Sequence, residues 1–190
     1  YFKNDAPSVS LWVTREYVRA APGGTGEAKC GGNYAGSLVA QAEAIRNGCD
    51  QVVFLDAVER RWVEELGGMN VFFVFEDGSI QTPPLDGTIL HGVTRDSLLT
   101  LARDMGLAVR EENYSIDQWK ADATSGRLTE AFACGTAAVV TPIGRVKGLD
   151  GEFTIGGQSS GPLTLRLRSA PVDIQRGDAP DPYGWTEQVS

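Results

Sequence analysis

The chain has 190 residues, enough for one ordinary domain with a sizeable buried core. Its apolar fraction of 42% and charged fraction of 22% are those of an ordinary globular protein, and a net charge of -8 argues against the clustered Lys and Arg of a broad nucleic-acid footprint. Three widely spaced cysteines (Cys30, Cys49, Cys134) and one histidine, His91, supply neither a disulfide framework nor a metal-ligand pattern, and no apolar run is long enough to span a membrane.

The opening Tyr-Phe-Lys-Asn lacks Met, and residues 1–7 read as a linker belonging to a longer protein. Ser8 to Val18 alternates as a strand, with Val9, Leu11 and Val13 on one face. A glycine-rich loop, Ala21 to Gly32, leads to a helix from Ala35 to Asn47, with Leu38, Ala42 and Ile45 on one face and Gly48 as its stop. Gln51–Asp56 reads as a buried strand. Val63–Leu66, a Gly67-Gly68 break and Asn70–Glu76 follow in β, and Asp77-Gly78 is a hairpin signal before Ser79–Gln81. Thr94 is a credible N-cap for a helix through Met105 that Gly106 terminates. Leu107–Glu112 reads as a strand, and Ser115 starts a helix ending near Gly126. Leu128–Ala133, Val139–Thr141 and Gly144–Lys147 read as strands, with a turn at 149–151. Gly161–Arg176 is the last helix, weakened by Pro171. Strands outnumber helices and the connections are mixed, so the fold class is α+β, or mixed α/β. No G-x-G-x-x-G follows a strand, so there is no dinucleotide fingerprint.

Four segments can carry chemistry. In GGTGEAKCGGNY (23–34), Lys29 lies between glycine clusters that let backbone approach a bulky ligand. A lysine there can attack a carbonyl if its amine is kept neutral, although a solvated surface lysine is the commoner outcome. In EELGGMN (64–70), Glu64 and Glu65 point to opposite strand faces. One of them can protonate a pyridine nitrogen, or both can be solvated. Gly92, Val93 and Thr94 lie at a helix N-terminus, a phosphate seat or a plain cap. Gly135-Thr136-Ala137 follows a strand, as an anion contact or a simple turn. His91 reads as a loop or rim residue, Cys30 as packing and Cys134 as a buried small hydrophobe. Arg15, Arg95 and Arg103 read as surface charges.

Taken together in this order, GGNY after a loop lysine, E-x-G-x-MN (65–70), LHGVTR (90–95) and GTA (135–137) resemble the branched-chain aminotransferases of the fold-type IV (class IV) pyridoxal-phosphate enzymes. TPPLDG (82–87), IQRG (174–177) and GWTEQV (184–189) extend the resemblance over nearly the whole chain, and the wording is similar to that of actinobacterial enzymes. The resemblance implies the large, C-terminal domain of that family, a strand-rich pseudo-barrel with flanking helices. It implies pyridoxal 5'-phosphate as cofactor and no metal.

Lys29 then matches the Schiff-base lysine, which is also the proton shuttle, and Tyr34 the partner of the cofactor's phenolic oxygen. Glu65 matches the acid on the ring nitrogen and Leu90 the aliphatic residue on the ring. Val93 and Thr94 match the phosphate-binding helix start, Thr136 the second phosphate contact, and Ala137 the backbone that helps hold the substrate carboxylate. Tyr34 and Thr136 also face substrate. The resemblance further implies transamination of Leu, Ile and Val with 2-oxoglutarate by a cytoplasmic homodimer without nucleic-acid or membrane partners.

In that family a small N-terminal domain precedes the segment matched here, residues 8–190, and supplies a phosphate-binding arginine and aromatic pocket walls. Without it the chain is expected to be inactive. D-amino-acid transaminases and aminodeoxychorismate lyases share the lysine and glutamate and stand as alternatives, as does an inactive domain kept for binding or assembly. Gly68 stands where animal relatives carry Thr, and Ala138 and Thr141 replace the vertebrate C-x-x-C pair.

Overall fold

The computed structural model describes residues 8–158, 160–187 and 189; the linker expected over 1–7 lies outside them. Nine strands and four helices are present among the described residues. The strands are β1 (Val9–Val13), β2 (Gln51–Leu55), β3 (Val63–Leu66), β4 (Asn70–Phe75), β5 (Ile80–Thr82), β6 (Val109–Glu111), β7 (Leu128–Gly135), β8 (Val139–Gly148) and β9 (Gly151–Thr154). The helices are α1 (Gly31–Arg46), α2 (Val93–Asp104), α3 (Ile116–Ser125) and α4 (Pro162–Arg176).

All strands join one sheet in the order β3-β2-β1-β8-β7-β4-β5-β6, with β9 against β8. The sheet curls until β3 meets β4 through a tight turn, in which Leu66 and Met69 exchange hydrogen bonds of 2.9 and 3.0 Å. Gly67 takes φ +60° there, and any side chain would strike Gln51 Oε1. A two-residue turn with positive φ at its first position is the hairpin geometry that favours glycine.

Period-two alternation divides the apolar residues between the inside and outside of this curl. Val9, Leu11 and Val13 of β1, Val53 and Leu55 of β2, Val71, Phe73 and Phe75 of β4, and Ala131 and Ala133 of β7 share the inner cluster. Phe73 packs there between Tyr114 and Trp119, at ring-centroid distances of 4.6 and 4.9 Å. The alternate residues Phe72, Val74, Phe132 and Cys134 face outward and are covered by Leu98, Leu99 and Ala102 of α2 and Leu167 of α4. Trp12, Val52 and Phe54 face outward under Ala40 and Ala44 of α1. Strands such as NVFFVF read as continuous apolar runs because both of their faces are covered.

Several boundaries differ from the sequence expectation. Helix α1 begins at Gly31, four residues early, with Cys30 in extended conformation as its N-cap. Its buried face is Asn33, Ser37, Ala40 and Ala44, so the stripe containing Leu38 (68% exposed) and Ile45 (63%) faces outward instead. Gly92, not Thr94, is the N-cap of α2. The two strands expected around Pro142 are one, β8. Its first half pairs with β7 and its second half with β1 and β9, and Pro142 stands just before the partner switch, where a missing N–H is tolerated. Strand β1 ends at Val13 rather than Val18. Helix α4 runs through the buried Pro171 to a left-handed Gly177 cap.

Candidate active site

Strands β1 and β2 are parallel neighbours, and the connection between them is the glycine-rich loop followed by α1. Lys29 therefore lies beyond the carboxyl end of β1, where ligands gather in α/β units. The loop is folded by Asn33, a buried residue of the first turn of α1. Its Nδ2 donates to Thr25 O (2.7 Å) and Ala28 O (2.8 Å), and its Oδ1 accepts from Thr25 Oγ1 (2.8 Å). These bonds fix the residues before Lys29 while leaving the lysine itself exposed.

A cavity of about 380 Å³ opens beside that lysine, lined by Lys29, Tyr34, Gln51, Gly68, Met69, Gly135, Thr136, Ala137 and Ala138. Its volume falls in the usual range for small-molecule sites. Three elements converge on it: the loop with α1, the β3–β4 turn, and the β7–β8 turn. The approach is close, since a Cβ at Gly68 would sit 3.6 Å from Tyr34 Cε1 and one at Gly135 would sit 3.5 Å from Met69 Cγ. Of the eight residues singled out from the sequence, the structure brings Lys29, Tyr34, Thr136 and Ala137 onto this cavity.

The other four, Glu65, Leu90, Val93 and Thr94, are not in its lining; Glu65 and the Leu90 backbone belong to a polar cluster, and Val93 and Thr94 open α2. Glu65 is 1% exposed, three residues before Gly68. Its Oε1 lies 3.4 Å from Asn70 Nδ2, which also donates to Leu90 O (3.1 Å). The Arg19 guanidinium lies against the buried Glu65 Oε2. Burial pushes the Glu65 carboxyl up to about 8, against the opposing pull of Arg19. Asn70 also packs so closely on Gly92 that a side chain there would collide with its Oδ1. The start of α2, where no side chain caps the helix, is thus held against the same cluster. Val93 is 79% exposed, so in its case a backbone N–H, not the side chain, is what the fold offers an anion.

The two glutamates are not solvated, as the bare sequence allowed. Glu64, also buried, accepts from Thr88 Oγ1 at 2.7 Å on the opposite face of β3, and burial raises its carboxyl above the usual range. Arg95 is no surface charge either: it is 3% exposed, donates to Pro83 O and pairs with Glu111 at 2.9 Å. Cys30 is half-exposed at the start of α1, where a hydrogen bond with Thr25 lowers its thiol below the ordinary value. His91 is exposed, with Nε2 3.5 Å from Glu27 of the lysine loop. Arg19, Asn33, Gln51 and Asn70 were not distinguished by sequence reasoning. The last of them stands inside a recognised motif, and Asn33 inside GGNY, whereas nothing local marks Arg19.

Residues 2–146 match the class IV amino-transferase family. A probable branched-chain-amino-acid aminotransferase of Streptomyces coelicolor is 58% identical over the whole chain, and the branched-chain-amino-acid aminotransferase of Mycolicibacterium smegmatis is 55% identical. The chain spans 52% of the length of each. Among solved structures, the branched-chain amino acid aminotransferase from Escherichia coli superposes with a TM-score of 0.79 at 33% identity, over 96% of this chain and 57% of that one. A branched-chain aminotransferase from the thermophilic archaeon Thermoproteus uzoniensis, solved with norvaline, gives 0.74 at 31% identity, over 92% and 52%. The fold, the cavity beside a loop lysine and these likenesses agree: the chain belongs to the class IV aminotransferase family.

Proposed function

We propose that residues 8–190 form the cofactor-bearing domain of a pyridoxal-phosphate-dependent transaminase acting on Leu, Ile and Val with 2-oxoglutarate. The observation that carries this reading is the convergence of Lys29, Tyr34, Thr136 and Ala137 on one cavity, with the buried Glu65 carboxyl three residues before its Gly68 wall. A loop amine, a phenol, a hydroxyl and a buried carboxyl are the donor set that a planar ring with a ring nitrogen and a phosphate arm calls for, so these residues fit the group. Lys29 would hold the cofactor and Tyr34 its phenolic oxygen. Glu65 would meet the ring nitrogen, with Leu90 against the ring. The first-turn amides of Val93 and Thr94 and the Thr136 hydroxyl would hold the phosphate. When bound, the cofactor supplies an electron sink for charge that develops at the substrate Cα.

The residues of this chain do the rest. Lys29, exposed to the cavity, is the base that takes the proton from the substrate Cα. The small Ala137 leaves its backbone open to the substrate carboxylate, while Tyr34 and Thr136 bound the space beside it. Apolar pocket walls select aliphatic side chains at about 0.8 kcal/mol per buried methylene. The relatives' names support amino-acid and oxo-acid substrates as partners; a second copy of the full-length protein and the cytoplasm belong to the same proposal. No helix among the described residues is long and apolar enough to cross a membrane.

The test uses the full-length protein that contains this chain, with pyridoxal 5'-phosphate added. The expected result is a visible cofactor band and steady transamination of L-leucine with 2-oxoglutarate, both lost in Lys29→Ala. Turnover of D-amino acids in place of L would transfer the site to a D-amino-acid transaminase. The isolated 190-residue chain should show no steady turnover, and robust turnover would refute the division of labour between domains.

A further inference from the structure

Arg19 was met above only as the partner of Glu65, yet it touches three segments of the site. Its side chain is 6% exposed. Nη1 and Nη2 both donate to Gly26 O (3.1 and 3.0 Å), three residues before Lys29. Nη1 also donates to Thr88 O (3.1 Å), two residues before Leu90. The same guanidinium faces Glu65. A planar fork with five donors can serve three acceptors at once in fixed directions, which a lysine ammonium cannot do. We propose that Arg19 is the positioning residue of this site: it fixes the Lys29 loop and orients the Glu65 carboxylate through one buried guanidinium.

This inference rests on the cofactor reading above for Glu65, but its effect on the loop does not. The groups facing the pair are Glu64 on the same strand, Asn70 across the hairpin and Cys134 on β7, and none of them can replace the cation. Loss of Arg19 removes a buried positive charge, so nearby groups keep their protons to higher pH. It also frees the carbonyl of Gly26, a buried residue of an otherwise exposed loop.

Two arms test this in the full-length protein. In the cofactor-free protein, trypsin cleavage after Lys29 should be about tenfold or more faster in Arg19→Met than in wild type, because cleavage follows local opening of the loop. Cleavage elsewhere should be unchanged. In the loaded protein, the pH midpoint of the visible cofactor band should move up by about one unit in Arg19→Met. Arg19→Lys should keep the midpoint but cleave faster than wild type, since it retains the charge and loses the fork. If Arg19→Met does not fold, Arg19→Lys carries the loop arm. Wild-type cleavage rates in the folded variants, or an unmoved midpoint in Arg19→Met, would overturn the proposal. A wild-type protein that takes up no cofactor, yet shows the faster loop cleavage in the variants, would instead overturn the functional reading and leave the clamp standing.

Discussion

Glu64 and Glu65 are consecutive residues of β3, both removed from water, and they face opposite ways into different chemistry. On the Glu64 side, Thr88 Oγ1 lies 2.7 Å from Glu64 and 2.9 Å from Asp86. Glu64, Asp86 and Thr88 also line a second cavity, of about 310 Å³. On the Glu65 side the carboxyl meets a buried guanidinium through Oε2 and a side-chain amide through Oε1. Burial alone therefore does not mark a functional carboxyl, since both are raised by it. The difference lies in the partners: Glu64 meets a hydroxyl beside a second carboxyl and lines a cavity, whereas Glu65 meets a buried cation.

Substitutions that treat the two faces differently test this contrast. Glu65→Ala should have the largest effect, destabilising the cofactor-free protein by about 3–5 kcal/mol because it strands a buried cation. Urea unfolding would show it, and a loss below about 1 kcal/mol would mean that the pair is not coupled as described. Glu64→Ala should cost about 1–3 kcal/mol for the lost acceptor of Thr88 and lower cofactor affinity less than Glu65→Ala, because it leaves the Arg19–Glu65 pair in place. Thr88→Val should cost about 1 kcal/mol, since Arg19 uses only the Thr88 backbone carbonyl.

A pH series sharpens the same contrast. The Glu65 carboxyl is raised from the ordinary range to about 8, so folding favours its protonated form. That stabilisation is complete below about pH 4.5, the ordinary carboxylate range, and is lost as the pH rises through about 8. In cofactor-free protein, Glu65→Gln should flatten the fall in Tm between about pH 5 and about pH 8.5 relative to wild type. Parallel curves would show that Glu65 is not the group responsible.

Much of the architecture was legible in the chain. The apolar runs of β2, β4 and β7, the Asp77-Gly78 turn and the Ser115 cap that accepts from Gln118 all emerged where the residue pattern put them. The failures have physical causes. Pro142 looked like a break because a proline cannot donate to a ladder, yet it stands where the strand changes partners. In α1, Leu38, Ala42 and Ile45 share a face by helical spacing, whereas the face that is buried is Asn33, Ser37, Ala40 and Ala44, small and polar residues with no apolar stripe to mark them. In the site, Lys29, Tyr34 and Thr136 stand in motifs that could be quoted, although their meeting at one cavity could not be seen without the fold. Arg19 could not be found at all: its partners are two backbone carbonyls and a carboxyl far away in sequence, and a long-range acceptor leaves no trace in local pattern.

Strand β8 has one more consequence. Its first residues follow the turn that bears Thr136, and its later residues align β1, from whose end the Lys29 loop departs. Opposite walls of the cavity are thus mounted on a single stretch of chain. A slip of one position along that stretch would carry the hydroxyl and the amine off target in the same movement, so whatever fixes its alignment, including the proline at the seam, sets the width of the gap between them.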